Sequence, residues 1–451
     1  MLKQILGLKS PPWLQRLVWI IDPVGYLERA KKETPELFKS EVVGFGNGLV
    51  FVNRPSAIQY ILSHDRQELS APGEANGLLK PLLGDFSIVM LDGELHRRRR
   101  QLLMPAFHGE RLQVYGDLIA QITIETVEKQ TLDKTFLARN LTQEISLQVI
   151  MQAVFGLYEG LRYKRITELL VLLLDVFRSP ISSAFLFIPS LQKKWGPWGK
   201  FLERRQELND LLDKEIEERK SANDSKRADI LSMLMSTTDE FGQSMSNLEL
   251  KDELITLLFA GHETTATALA WALYWIHKEE GVKEKLLEEL DSLGPQFTLI
   301  ELTRLPYLNA VCNETLRIYP VAMLTFPRMA EQKIDIEGYV LEPGTIVMGC
   351  IYLLHHREEI YPNSHQFRPE RFLERQYAAH EFMPFGRGAR RCVGEALAQF
   401  EMKVALYNLL SNYEFALASK SEEIPKRRGV TIAPGRGVPI KVVGYHSRTK
   451  N

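Results

Sequence analysis

The chain has 451 residues, of which 45% are hydrophobic and 25% are charged. This is the composition of a globular protein with a large core, so extensive disorder and a fibrous architecture are excluded. The formal net charge is -1. The chain as a whole therefore offers no basic surface to nucleic acid, and any charge-driven partner must meet a local patch.

The N-terminus carries a short amphipathic segment. Residues 13–21 follow two prolines and are predicted to form a helix that packs on the body of the protein. The alternative is that residues 1–20 form an extension in peripheral contact with a membrane. The first ten residues lack the apolar run of a secretory signal, and no stretch reaches the ~18 apolar residues of a spanning helix. We therefore expect a cytoplasmic protein.

The rest of the chain is predicted to be mainly helical. The helical pattern dominates from residue 94 to about residue 415, and short strands are expected near residues 333–339, 344–352 and 430–443. No repeat or long linker divides the chain. The predicted fold class is mainly α with small β-sheets (α+β), in a single domain over residues 1–451.

One predicted helix contains residues that a core helix normally avoids. Ser246 and Glu249 form a capping box, and the helical pattern then continues to Lys278 with an apolar middle, which places this helix at the centre of the domain. Residues 260–265 nevertheless contain a glycine, a glutamate and two threonines, each unfavourable in a buried helix. Such a violation indicates a functional site. A zinc-protease motif is excluded because Ala266 stands where the second histidine would be.

The most specific signal is the loop at residues 385–394. Two glycines permit a tight turn, and Cys392 follows several arginines just before a predicted helix. The helix N-terminus and the cations should lower the pKa of the Cys392 thiol, which predicts a nucleophile or a metal ligand. Cys312 and Cys350 are expected to be inert and buried. Three scattered cysteines exclude a disulfide framework and fit a reducing compartment.

This loop resembles the haem-binding loop of the cytochrome P-450 family. The pattern F-x-x-G-x-R-x-C-x-G is fulfilled from Phe385 to Gly394. Three further family motifs occur in the family's order: the oxygen-activating segment at residues 260–265, E-x-x-R at 314–317 and P-E-R-F at 369–372. The resemblance covers essentially the whole chain and implies the P-450 fold, with a long central distal helix over a buried haem b.

The resemblance also assigns roles to individual residues. It implies that the Cys392 thiolate is the iron ligand, which favours O–O cleavage, and that Thr264 and Glu263 deliver protons. Gly261 is expected to leave space for dioxygen. A buried ion-pair cluster would hold the cysteine loop and comprises Glu314, Arg317 and Arg371. Residues expected to contact haem are His96, Arg100, Ala260, Gly261, Arg328, Phe385, Gly386, Arg390, Cys392 and Gly394. Of these, Arg100, Arg328 and Arg390 are expected propionate partners, and His96 is a further candidate because it replaces the family's tryptophan.

We expect electrons to come from a separate protein, because the 59 residues after Cys392 are too few for flavin and nicotinamide domains and the sequence has no G-x-G-x-x-G. The resemblance to the P-450 family implies that the donor is a ferredoxin, or a flavodoxin, with its reductase. Two interpretations remain open for the arginine run at residues 97–99: a solvated cationic face, or a docking patch for an acidic donor. That patch would comprise Arg97, Arg98, Arg99, Arg387, Arg391 and Lys403.

The substrate is predicted from the apolar segments that the resemblance places around the pocket. These segments are residues 78–91 and 169–191, together with the pocket residues Phe259, Ala260, Val321, Ala322, Leu324 and Phe326. An apolar pocket suits a lipophilic substrate. The chain is similar to bacterial, particularly cyanobacterial, members, which favours hydroxylation of a long-chain fatty acid by a monomeric enzyme. The alternatives are oxidation of a terpenoid or retinoid, a peroxide-driven peroxygenase or isomerase, and a non-enzymatic haem sensor.

Overall fold

A computed structural model describes residues 3–42, 49–64, 67–156, 159–175, 191–193, 196–222, 227, 229–294 and 296–446. Helices dominate this part of the chain. The α-helices are α1 (Pro12–Ile21), α2 (Pro23–Glu33), α3 (Pro55–Ser63), α4 (Lys80–Leu83), α5 (Gly93–Leu103), α6 (Glu110–Val127), α7 (Ala138–Phe155), α8 (Leu161–Asp175), α9 (Pro197–Ala222), α10 (Ile230–Ser236), α11 (Asn247–Lys278), α12 (Val282–Asp291), α13 (Pro306–Ile318), α14 (Ile351–His355), α15 (Arg371–Glu374) and α16 (Glu395–Asn412). The predicted fold class is therefore confirmed.

Small sheets flank the helices. The strands are β1 (Leu37–Ser40), β2 (Leu49–Val52), β3 (Leu69–Ser70), β4 (Phe136–Leu137), β5 (Arg328–Ala330), β6 (Ile334–Ile336), β7 (Tyr339–Leu341), β8 (Ile346–Gly349), β9 (Tyr413–Leu417), β10 (Pro425–Arg428), β11 (Thr431–Pro434) and β12 (Pro439–Tyr445). A five-stranded sheet has the order β1-β2-β8-β5-β3, and β4-β12-β9 form a second sheet. In the larger sheet β2 and β8 run parallel, with Val50 opposite Val347. Two hairpins, β6–β7 and β10–β11, complete the β portion.

The long central helix forms as its sequence predicts. The Ser246 side chain accepts the Glu249 backbone N–H, and the Glu249 carboxylate accepts the Ser246 backbone N–H, so the capping box satisfies two of the free donors at the start of α11. The helix then runs for 32 residues, or about 48 Å at 1.5 Å per residue. Its middle is buried on nearly every side. Packing against α7, α13 and α16 makes α11 the axis of the helical core.

Helix α1 packs on the body through one face only. Gln15 and Trp19 are buried, and the Arg427 guanidinium lies 4.7 Å from the centre of the Trp19 ring. Trp13, Leu17 and Ile21 face outward on the opposite side. Among the described residues, no helix combines the length and the apolar character that crossing a membrane requires.

Candidate active site

The cysteine loop lies between α15 and α16 and is closed by its own backbone hydrogen bonds. The Gly386 N–H donates to the Met383 carbonyl (3.0 Å), and the Cys392 N–H donates to the Phe385 carbonyl (3.0 Å). Gly386 and Gly388 have φ values of 66° and 71°, the left-handed region where a side chain is strained. The two glycines therefore make the turn that brings Cys392 to the N-terminus of α16.

The Cys392 thiol is accessible, yet the surrounding protein removes most of its hydration. This desolvation raises the pKa of Cys392 to about 11, outweighing the Gly394 backbone N–H and the charges of Arg100 and Arg391, which all favour the thiolate. The expectation that the arginines and the helix N-terminus lower this pKa is therefore wrong for the protein alone. Burial destabilises the thiolate by more than these groups stabilise it. A metal ion bound to the sulfur would supply the missing positive charge.

A buried ion-pair cluster lies behind the loop. The Glu314 carboxylate, at 0% exposure, accepts Arg317 Nε at 2.6 Å and Arg371 Nε at 2.9 Å. Arg317 also donates to the His355 carbonyl at 2.8 Å, and Arg371 donates to the Pro362 carbonyl. The predicted association of Glu314, Arg317 and Arg371 is thus present in the structure. Both carboxylate oxygens of Glu314 therefore have cationic partners, which offset the cost of burying the group.

On the other side of the core, α11 exposes a short strip. Ala260 is exposed, and Gly261, Glu263 and Thr264 are half-buried, in a helix stretch whose neighbours are buried. The Thr264 hydroxyl donates to the Ala260 carbonyl one turn earlier. This back-bonding fixes the orientation of the hydroxyl and weakens the helix ladder locally. The strip therefore presents a polar group on the accessible side of α11.

The carboxylate of Glu263 is held by α7. Arg139, which is only 3% exposed, donates to one Glu263 oxygen, and Gln143 Nε2 donates to the other at 3.1 Å. Sequence reasoning missed both partners, because they lie more than a hundred residues before Glu263. The predicted proton relay therefore begins at an ion pair rather than at a free carboxylate.

Gly261 serves the contact between α7 and α11. A Cβ built on Gly261 would lie 2.7 Å from Ile150 Cδ1, closer than two carbon atoms can approach. The Ser146 hydroxyl donates to the Gly261 carbonyl at 3.1 Å. The place of a Cβ at Gly261 is thus filled by Ile150 of α7, and the expectation that Gly261 leaves space for dioxygen stays a prediction.

Two predicted propionate partners line one cavity. His96 and Arg390 are both buried and border a cavity of 410 Å³, together with Asp92, Glu331 and Ala389. Arg390 also donates to the Ile88, Ala71 and Leu91 carbonyls. Arg390 therefore joins the cysteine loop to the segment at residues 71–91, a role that the sequence pattern did not predict.

The other two arginines also contact the cysteine loop. Arg100 donates to the Arg391 carbonyl and shares a smaller cavity, of 250 Å³, with Cys392. Burial lowers the pKa of Arg100. Arg328, at 1% exposure, donates to the carbonyls of Phe326 and Arg387. Cations thus reach the loop from α5 and from β5.

The segment at residues 86–91 is held from three directions. Asp252 accepts the Phe86 N–H, and Glu253 accepts the Ile88 N–H, both at 3.0 Å. Arg99 donates to the Phe86 carbonyl at 2.9 Å, and Arg390 donates to the Ile88 carbonyl at the same distance. Charged side chains from α5, α11 and the cysteine loop therefore fix this backbone.

The donor set and the accessible surfaces fit a haem. Cys392 shares a cavity with Arg100 and Arg391, and Arg328 and Arg390 donate hydrogen bonds at or from the same loop, so one thiol lies among several cations. The family model for cytochrome P450 matches residues 9–439. The chain is a cytochrome P450.

Relatives of this P450 cover nearly its whole length. Cytochrome P450 135B1 of Mycobacterium tuberculosis is 33% identical over 442 residues, which are 97% of this chain and 92% of the relative. Cytochrome P450 135A1 of the same organism is 30% identical, covering 97% and 94%. The P450 is thus a monooxygenase that uses haem.

Solved structures show the same fold. The retinoic acid-bound cyanobacterial CYP120A1 has a TM-score of 0.86 at 23% identity and covers 99% of both chains. The haem domain of cytochrome P450DA has a TM-score of 0.85 at 22% identity, covering 98% of this chain and 97% of that one.

Two residues of the predicted docking patch lie in the interior of the P450. Arg99 is 5% exposed and pairs with Glu249 and Glu253, so it belongs neither to a docking patch nor to a solvated face. Lys403 is 4% exposed. Both corrections follow from helix geometry, because neighbouring residues on a helix point about 100° apart.

Arg97 and Arg98 stay half-buried at the surface and have partners within the chain. Both pair with Glu94 and Glu240, and the guanidinium of Arg98 lies 4.3 Å from the centre of the Phe241 ring. Arg387 and Arg391 are likewise half-buried. A donor would therefore meet cations that already carry acidic neighbours.

The predicted pocket residues on the segment before β5 share one side. Ala322 and Phe326 are exposed and Leu324 is half-buried, whereas Met323 and Thr325 between them are buried. Val321 is half-buried, and its carbonyl accepts the Ile432 N–H at 3.1 Å. The remaining predicted pocket residue, Phe259 on α11, is 7% exposed. Of the other expected pocket segment, residues 176–190 lie outside the described residues.

Proposed function

We propose that this P450 hydroxylates a long-chain fatty acid, inserting one atom of dioxygen into a C–H bond. The observation that carries the proposal is the accessible apolar side formed by Ala322, Leu324 and Phe326, together with exposed Ala260 on the distal helix. Apolar surface with few fixed polar groups selects a lipophilic molecule. The chain would act as one domain and as a monomer.

Oxidation of a retinoid or terpenoid is the second candidate. The solved CYP120A1 structure holds retinoic acid and has the same fold over the whole chain. Fatty acids and retinoic acid share a carboxylate and an apolar body, so the same pocket chemistry would accept either. A substrate panel separates them.

The test has two stages. The dithionite-reduced, carbon monoxide-bound protein should show the strongly red-shifted Soret band of thiolate ligation. Turnover of saturated fatty acids, retinoids and terpenoids is then compared, using a surrogate ferredoxin and its reductase. Turnover of small polar compounds alone would contradict the lipid proposal, and turnover of retinoids alone would favour the second candidate. A product formed with peroxide but never with dioxygen and reductant would indicate a peroxygenase.

The residues divide the work around the haem. The haem would supply the dioxygen chemistry when bound, and Cys392 would hold its iron. Arg100, Arg328 and Arg390 would supply positive charge near its propionates, and His96 a further polar partner. Glu263 takes protons from solvent while Arg139 and Gln143 hold its carboxylate. Thr264, one residue further on, presents its hydroxyl at the exposed strip of α11 and passes the proton onward.

Replacing Thr264 by alanine should uncouple electron use from product formation. The protein should keep its haem and its substrate-induced spectral change, while the rate of product formation falls roughly 100-fold, as expected when a positioned proton donor is lost. Hydrogen peroxide released per NADPH consumed should rise correspondingly. Thr267→Ala is the matched control, because Thr267 lies buried on the same helix. Unchanged coupling in Thr264→Ala would remove this residue from the relay.

We propose that the electron donor is an acidic ferredoxin, or a flavodoxin, working with its own reductase. Arg97, Arg98, Arg387 and Arg391 are the accessible cations of the expected patch. Attraction between unlike surfaces raises the association rate and is screened by salt. The rate of reduction should therefore fall as ionic strength rises.

We further propose a cytoplasmic protein whose N-terminal helix makes a loose contact with a membrane. Trp13, Leu17 and Ile21 lie at intervals of four residues on the outer face of α1 and are 65%, 47% and 54% exposed. The described residues before Asp22 include three cations, Lys3, Lys9 and Arg16, and no acid. An apolar stripe with cations beside it suits an anionic lipid surface.

This contact predicts a loss of vesicle binding in variants of α1. Each of Trp13→Ser and Leu17→Ser should weaken co-sedimentation with vesicles containing phosphatidylglycerol roughly tenfold, because an apolar side chain no longer leaves water. Leu161→Ser is the matched control, since Leu161 is 89% exposed on α8. Equal weakening by all three variants, or no binding by the unmodified protein, would contradict the proposal.

A further inference from the structure

A buried histidine connects the ion-pair cluster to the cysteine loop. His355 is the last residue of α14 and has no exposed surface. Its backbone carbonyl accepts Arg317 Nη1 at 2.8 Å. Its ring stacks on Phe382, with the ring centres 5.3 Å apart, and meets Tyr361 edge-on at 6.1 Å. The backbone of His355 thus bonds to the cluster, while its ring packs against two aromatic rings.

The imidazole itself reaches the start of the loop. His355 Nε2 accepts the backbone N–H of Met383 at 3.1 Å. The Met383 carbonyl accepts the Gly386 N–H, and the Phe385 carbonyl accepts the Cys392 N–H. Three hydrogen bonds and a short length of chain therefore run from the His355 ring to the residue that holds the iron.

The hydrogen bond requires a neutral ring. Nε2 can accept only when its lone pair is free, so the proton resides on Nδ1. Burial and the charge of Arg317 lower the pKa of His355 to about 3. The ring therefore stays an acceptor at every pH at which the protein would be assayed.

We propose that His355 is a positioning residue for Cys392, because its ring holds the first turn of the cysteine loop at the ion-pair cluster. The inference rests on Cys392 as the iron ligand. Without the acceptor, the buried Met383 N–H loses its partner, which destabilises this arrangement of the loop. Cys392 would then be held less firmly in the position from which it ligates the iron.

His355→Leu tests this role, and His355→Gln tests whether an acceptor is what matters. In the reduced, carbon monoxide-bound protein, His355→Leu should raise the ratio of the unshifted to the red-shifted Soret form roughly tenfold at equal haem content. His355→Gln should recover part of the red-shifted form, because its amide oxygen can accept the same N–H.

His356→Leu is the matched control. His356 is equally buried and adjacent, but its Nδ1 bonds to the Tyr352 carbonyl and its ring stacks on His365. This variant should lower the midpoint of thermal unfolding and leave the ratio of Soret forms unchanged. A normal spectrum in His355→Leu, or an equal change in His356→Leu, would overturn the proposal. Absence of the red-shifted band in the unmodified protein would instead contradict the assignment of Cys392.

Discussion

Cys392→Ser should give a protein that carries haem but lacks both the red-shifted Soret band and monooxygenase activity. Serine has no sulfur, and its hydroxyl is a far weaker acid than a thiol. The variant therefore lacks the thiolate ligand that favours O–O cleavage. The cations at Arg100, Arg328 and Arg390 do not depend on the sulfur and should still hold the haem. The absorption spectrum of the reduced, carbon monoxide-bound variant provides the measurement.

Cys312→Ala is the control for Cys392→Ser. Cys312 is buried on α13, and burial raises the pKa of its thiol to about 11. Because Cys312 lies on α13 and not in the cysteine loop, Cys312→Ala should keep the red-shifted Soret band. A red-shifted band that persisted in Cys392→Ser would show that another residue holds the iron.

Glu314→Gln should cause the largest loss of stability and of haem. The substitution leaves Arg317 and Arg371 buried without their counter-charge, and breaking a buried pair in this way costs about 3–5 kcal/mol. Because Arg317 also holds the His355 carbonyl, the cysteine loop loses its support. We expect haem absorbance per mole of purified protein to fall severalfold, together with the midpoint of thermal unfolding.

Glu215→Gln provides a matched comparison. Glu215 is also a buried glutamate between two arginines, Arg162 and Arg219, but it lies on α9 away from the loop. Its loss should reduce thermal stability while haem content and the thiolate spectrum stay normal. If both variants lost haem to the same degree, the Glu314 cluster would have no specific role at the cysteine loop.

Sequence patterns predicted those features that depend on near neighbours in the chain. The capping box at Ser246 and Glu249 spans four residues, and the turn before Cys392 depends on two local glycines. The ion-pair cluster at Glu314 could not be predicted from spacing alone. Its pairing with Arg317 and Arg371 was predicted only from the family resemblance. Each of these features is local, or is shared with many proteins.

Features that depend on packing between distant elements were missed or mistaken. The sequence places four arginines together at residues 97–100, yet helix phase turns Arg99 into the core beside Glu249 and Glu253. From the sequence, Glu263 was expected to be a free carboxylate, but in the structure Arg139 of α7 pairs with it. Burial, which no spacing reveals, reverses the expected direction of the Cys392 pKa.

The fixing of residues 86–91 has a consequence for selectivity. As the proposed wall of the substrate pocket, residues 86–91 are already held by Asp252, Glu253, Arg99 and Arg390 and would have little conformational entropy left to lose when a ligand arrives. Ligands that match this wall gain affinity without a cost for ordering it, and ligands that do not match find no adaptable backbone there. Discrimination at this wall should therefore be by shape, and loosening it by mutation should broaden the range of accepted molecules rather than abolish binding.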